Sequence, residues 1–105
     1  MKEITVQELK TKMDNKEDFQ LIDVRELHEI EIATINGEHI ALGEVINRRN
    51  EISKDKQVII HCRSGARSGN AVQALEGNFG FDNLYNLKGG ILAWSREIDD
   101  SIPQY

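Results

Sequence analysis

Cysteine, proline and tryptophan each occur once in the 105 residues. A lone cysteine can close no internal disulfide and cannot supply the several thiolates of a structural zinc site. It is therefore either core filler or a reagent. The one proline, Pro103, lies in the tail, and no Pro/Gly/Ser-rich linker, repeat or low-complexity tract divides the chain. A single domain over residues 1–105 is expected. Long apolar runs are missing as well, and nothing approaches the ~18 uncharged residues that a membrane span needs. The first segment, MKEITVQELKTK, is charged and amphipathic and has no apolar export stretch, so a cytoplasmic location is expected. Positive charge is the minority sign, 13 Lys and Arg against 18 Asp and Glu for a net charge of −5. That balance argues against binding nucleic acid or a membrane surface as a general role. What remains, with 39% hydrophobic residues, is the composition of an ordinary globular domain.

Short apolar segments alternate with segments of helical period, the pattern of a parallel sheet in an α/β fold. Glu3 to Thr5 reads as a short edge strand, and Thr5-Val6-Gln7-Glu8 has the form of a capping box opening the helix that carries Leu9 and Met13. Phe19 to Val24 is a strand, Leu27 to Ile35 a short helix running into a loop at Asn36-Gly37, and His39 to Ala41 a brief strand. One or two helical turns are expected over Leu42 to Ile52. Gln57-Val58-Ile59-Ile60-His61 is the clearest strand, apolar on both faces as a central parallel strand must be. A small-residue loop and a helix reaching Phe79 follow, then a strand at Leu84 to Leu87, a Gly89-Gly90 turn and a closing helix from Ile91 to Ile98.

The loop after the central strand is Cys62-Arg63-Ser64-Gly65-Ala66-Arg67-Ser68. Strand ends of a parallel sheet face the binding crevice. A tight loop turning back into a helix aims several backbone N–H groups inward, and the helix N-terminus adds partial positive charge on the same side. Arg63 and Arg67 can add two cations, Ser64 and Ser68 two hydroxyl donors, and Gly65 the backbone freedom for the turn. All of this favours thiolate over thiol, so the pKa of Cys62 should fall below the ~8.5 of free cysteine. Core filler would require none of these neighbours.

At these residues the chain resembles the rhodanese-like domain family, the fold of the sulfurtransferases. Leu21-Ile22-Asp23-Val24-Arg25-Glu26 is similar to the family's early D-V-R motif, and Gly37 with Ile40-Ala41-Leu42 to the next segment. Val58 to Ser68 resembles the strand and active-site loop of single-domain members. Gly80-Phe81, Asn83-Leu84, Leu87, Gly89-Gly90 and Ala93-Trp94 resemble the C-terminal signature. Thr34-Ile35-Asn36-Gly37 departs from the usual His-Ile-Pro-Gly, and losing that proline should loosen the loop.

The resemblance implies a three-layer α/β/α fold, a five-stranded parallel sheet of order 3-2-4-5-1 flanked by helices. It implies a catalytic Cys62 that carries a persulfide, with the donor bound by Arg63, Ser64, Gly65, Ala66, Arg67 and Ser68. It also implies a small anionic sulfur donor, a thiol or protein acceptor, and no metal or organic cofactor. In this family a six-residue loop such as Cys62 to Arg67 suits sulfur, and phosphatase relatives use one residue more; Ser68 should then open the helix. A persulfide carrier, a regulatory binding module, and a phosphatase or arsenate reductase are the alternatives.

Other polar residues read as structural. His61 should point away from Cys62, because adjacent strand residues face opposite ways. His28 and His39 have no ligand spacing. Asp23 and Arg25 should hydrogen-bond beside the crevice, and Trp94 should pack the last helix. Arg48-Arg49 and the acidic group Glu26, Glu29 and Glu31 read as solvated faces.

Overall fold

A computed structural model describes residues 1–105. Five parallel strands form one sheet in the order β1-β5-β4-β2-β3: β1 is Glu3–Ile4, β2 Gln20–Asp23, β3 Glu38–His39, β4 Val58–His61 and β5 Leu84–Leu87. The helices are α1 (Val6–Asp14), α2 (Leu27–Ile32), α3 (Ala66–Phe79) and α4 (Gly90–Glu97). Two 3-10 turns, Leu42–Glu44 and Arg49–Glu51, account for the weak helical spacing between β3 and β4. The expected order 3-2-4-5-1 is this sheet read from its other edge. No helix is long and apolar enough to cross a membrane.

Central position explains the composition of β4. It pairs with β2 on one side and β5 on the other, and all four of its residues are buried. Its alternating side chains feed two cores. Val58, Ile60 and Cys62 join Ile22, Val72 and Leu75 under α3, while Ile59 joins Leu9, Leu87, Ile91 and Trp94 under α1 and α4. The expected capping box opens α1, with the Thr5 hydroxyl accepting from the Glu8 amide and the Glu8 carboxylate from the Thr5 amide.

The loop that departs from the family pattern takes its own route. Asn36 has φ 67°, a left-handed conformation that the proline ring, fixed near −65°, cannot adopt. The change from proline thus alters the path of the chain as well as its freedom. Gly37 then lies against Leu21, where a Cβ would come within 3.2 Å of Cγ.

At the carboxyl end of β2, Asp23 and Arg25 form an ion pair with 1% and 0% side-chain exposure. Arg25 Nε and Nη2 donate to the Asp23 carboxylate at 3.0 and 2.8 Å, and Nη2 also donates to the Ala33 carbonyl. Burial pushes the Asp23 carboxyl up, and the hydrogen bonds and charge of Arg25 more than reverse the shift. Such a pair is worth little against an apolar replacement, but either partner left alone is costly. Arg25→Leu is therefore expected to lower unfolding free energy in urea by about 3–5 kcal/mol, with much of the loss recovered in the Asp23→Leu/Arg25→Leu double variant.

Candidate active site

Cys62 follows β4 directly, and Gly65 ends the tight turn that carries it. Gly65 sits at φ 106° as the N-cap of α3, and its carbonyl accepts the first helical bond from the Gly69 amide at 3.0 Å. That left-handed residue turns the chain early. The helix opens at Ala66 and not at the expected Ser68, so Ala66, Arg67 and Ser68 form its first turn. The loop amides are thereby folded back over the thiol.

Sγ of Cys62 receives the Gly65 amide at 3.1 Å, the Ser68 amide at 3.4 Å and the Ser68 hydroxyl at 3.3 Å. Burial raises the thiol pKa, but the Ser68 hydroxyl and the amides of Ser68, Gly65 and Ser64 outweigh it, and the net shift is downward. Cys62 is only 1% exposed, so the sulfur is nearly closed off from solvent.

Helix α4 holds this loop from behind. The amides of Ile91 and Leu92 donate to the carbonyls of Cys62 and Arg63 at 3.0 and 3.1 Å. These are N-terminal amides of α4, which have no partner within their own helix. The close approach depends on Gly90, at φ 59°, where a Cβ would fall 2.7 Å from the Cys62 carbonyl oxygen and 2.6 Å from the Arg63 carbonyl carbon. Gly89 and Gly90 therefore do more than make a turn.

The two arginines of the loop have protein partners. Arg67 makes a forked ion pair with Glu29 of α2, at 2.6 and 2.8 Å. Arg67 holds the Glu29 carboxyl far below the usual carboxylate range, against the effect of burial. Glu29 is 7% exposed, which corrects its assignment to a solvated face; Glu26 and Glu31 are exposed. The reason is local: Glu29 is the third residue of α2 and turns back to accept the Glu26 amide at 3.1 Å, while Glu31 lies roughly 200° around the helix. Arg63 donates through Nε to the Tyr105 carbonyl at 2.6 Å and lies 5.2 Å from the Tyr105 ring centre. The Tyr105 hydroxyl accepts from Arg25 at 2.8 Å and donates to Glu29 at 2.7 Å, tying the buried pair of β2 to the loop.

His61 is fully buried, with Nε2 3.6 Å from the Asp23 carboxylate on the face opposite Cys62. Burial pushes its pKa down, so it is neutral and structural. No three His, Cys, Asp or Glu side chains are gathered to hold a metal.

Sequence reasoning missed Asn86, Glu29 and Tyr105. Asn86 left a readable trace as the amide inside the otherwise apolar-facing Leu84-Tyr85-Asn86-Leu87 strand. Glu29 left its capping-box spacing from Glu26. Tyr105, 42 residues beyond Arg63, left none.

A thiol thus ends the central strand with amides around it. The rhodanese-like domain model matches residues 5–97. The chain belongs to the rhodanese-like domain family. It is 38% identical over 98 residues to the putative sulfurtransferase YtwF of Bacillus subtilis, covering 92% of this chain and 93% of that one. Identity is also 38% over 98 residues with the putative sulfur carrier protein YrkF of the same organism, covering 92% of this chain. The chain spans 52% of YrkF, one of several curated relatives of which it matches less than two thirds. Among solved structures, a rhodanese-like domain protein from Staphylococcus aureus superposes with a TM-score of 0.83 at 32% identity, covering 100% of this chain and 99% of that one.

Within this rhodanese-like domain, Gly90→Ala should push the Cys62 and Arg63 carbonyls aside and withdraw the amides from Sγ. The expected outcome is an upward shift in the pH midpoint of Cys62 alkylation by iodoacetamide, while circular dichroism shows the fold retained.

Proposed function

We propose that the chain is a sulfurtransferase that carries sulfane sulfur as a persulfide on Cys62, taking it from thiosulfate or a similar small anion. The reading rests on one observation: the buried Sγ has three hydrogen-bond donors from its own loop and helix and no neighbouring base. A nucleophile so arranged is activated by stabilising its anion and has no need of a base to remove its proton. Cys62 is the nucleophile, and Arg63, Ser64, Gly65, Ala66, Arg67 and Ser68 make up the donor-binding loop.

The chemistry is a double displacement. The Cys62 thiolate attacks the outer sulfur of thiosulfate; the new S–S bond forms as the old one breaks, and sulfite leaves with the electron pair. The persulfide then holds one negative charge on its outer sulfur. A thiophilic acceptor attacks that atom and regenerates the thiolate; cyanide leaves as thiocyanate, and a small thiol or a protein thiol leaves as a persulfide. Charge balances in both steps and no electrons are exchanged with an outside agent, so neither step calls on a cofactor. Arg67 and Arg63 lie at the loop and attract an anion, although each already shares its charge with Glu29 or a carbonyl. Transfer of single sulfur atoms also suits a thiol that is nearly closed off. The two surface hollows, of about 260 and 280 Å³, are lined by residues that do not include Cys62.

The name of YrkF favours a second reading, a carrier that passes its persulfide to a protein and turns over slowly on cyanide. The location proposed with either reading is the cytoplasm, and neither reading calls for nucleic acid or membrane.

Incubation with thiosulfate is expected to raise the intact mass by one sulfur atom, and Cys62→Ser should gain none. Equal gain by the variant, or no gain by the parent, sinks the proposal. Loading that is fast beside slow discharge to cyanide identifies the carrier. Release of phosphate from an aryl phosphate would instead identify a phosphatase.

A further inference from the structure

Asn86 is a polar side chain in the middle of a central strand, 2% exposed and on the same side of the sheet as the Cys62 loop. Both ends of its amide are engaged there. Nδ2 donates to the Gly65 carbonyl at 3.0 Å, and Oδ1 accepts from the Ser68 hydroxyl at 2.5 Å. Gly65 and Gly69 lie alongside it, a Cβ position on either falling at contact distance from Nδ2, 3.7 and 3.4 Å.

The orientation of this amide follows from its partners. The Gly65 carbonyl can only accept, so the NH2 end must face it and the oxygen must face Ser68. An amide oxygen also can only accept. Ser68 owns a single hydroxyl proton, and two acceptors lie within its reach: Asn86 Oδ1 and, at 3.3 Å, Cys62 Sγ. The proton cannot serve both in full.

We propose that Asn86 is a positioning residue of the active site, which holds the Ser68 proton while Cys62 is neutral and yields it to Sγ when Cys62 becomes a thiolate. In the thiol, S–H donates to Ser68 Oγ and Ser68 O–H donates to Asn86. When the S–H proton leaves to water, Ser68 rotates to donate to the anion, and Oδ1 of Asn86 is left buried without a donor. Loss of that bond opposes ionisation and offsets part of the help given by the loop amides.

The proposal rests on Cys62 being the reacting thiol and adds a tuning element to it. Thiolates of very low pKa are poor nucleophiles, and the best attacking thiol has a pKa near the ambient pH. A competing acceptor for the Ser68 proton keeps Cys62 from being over-stabilised. In the persulfide the charge moves to the outer sulfur, so Ser68 can return its proton to Asn86. The reactive thiolate is then the one state in which that bond is broken.

Other charges around the sulfur do not touch this pair. They are Arg63 on the same loop, Arg67 of α3 with Glu29 of α2, Asp23 and Arg25 at the end of β2, the neutral His61 of β4, and Tyr105. None of them hydrogen-bonds Ser68 or Asn86.

The test is the pH dependence of Cys62 alkylation by iodoacetamide in the parent chain, Asn86→Leu, Ser68→Ala and the double variant. Asn86→Leu is expected to lower the midpoint by about one pH unit, because Ser68 then donates to sulfur alone. In the Ser68→Ala background the same change should have no effect, because the link is gone. An unchanged or raised midpoint in Asn86→Leu overturns the proposal, as does an equal shift in both backgrounds, which would mean that the loop had merely moved. The parent chain supplies a test that needs no Asn86 variant. The Asn86 side-chain carbonyl resonance should titrate with Cys62 and stop doing so in Ser68→Ala; a resonance indifferent to the Cys62 titration, or one that still titrates without the hydroxyl, overturns the proposal. Alkylation and resonance shifts read the thiol itself, whereas a failure to accept sulfur from thiosulfate would count against the sulfurtransferase reading alone.

Discussion

The carbonyl oxygens of Cys62 and Arg63 point away from the sulfur and into the first turn of α4, where the amides of Ile91 and Leu92 receive them. Because a peptide unit carries its N–H opposite its C=O, fixing the Arg63 carbonyl outward turns the Ser64 amide toward the sulfur, beside the Gly65 and Ser68 amides that donate to Sγ. The donor set at Sγ combines that polarity with the turn that brings in Gly65 and Ser68. Gly90 makes the approach possible, Gly65 closes the turn, and the helix that starts at Ala66 supplies the last donors from Ser68. The same contacts satisfy the N-terminus of α4, so the loop and the closing helix stabilise each other.

Around this centre, charge is used mainly to hold elements in place. Arg67 spans from α3 to Glu29 of α2, Arg25 spans from β2 to Ala33 and Tyr105, and the buried Asp23 anchors Arg25. The carboxyls of Asp23 and Glu29 are both held below their ordinary values. Stability from these pairs is therefore present above the unfolded carboxyl range of about 4 and is lost as pH falls toward the depressed folded values. The donors at Sγ are uncharged, so their pull on the thiol pKa loses little to screening by salt.

The fold was largely legible in the chain. A strand apolar on both faces could only be central, the Thr5-Glu8 spacing announced a capping box, and the loop after His61 marked the crevice. Boundaries were less so. The start of α3 at Ala66 turns on the left-handed backbone of Gly65, which composition allows but does not demand. Asn36 likewise takes a left-handed conformation that its neighbours do not require.

By itself, the sequence determined that the one cysteine would sit at the end of the central strand, inside a short loop with helix and amides on its side. Local rules suffice for that, because strand, turn and helix are each encoded by adjacent residues. Only the tertiary structure decided what the long polar side chains do. Glu29 meets Arg67 across 38 positions, Arg63 meets Tyr105 across 42, and Ser68 meets Asn86 across 18. Each partner is supplied by an element whose distance in space is unrelated to its distance along the chain. Hydrogen bonds select among whatever donors and acceptors the packed sheet brings within reach, so an acidic residue read as solvated became a buried clamp and an amide in a strand became part of the site.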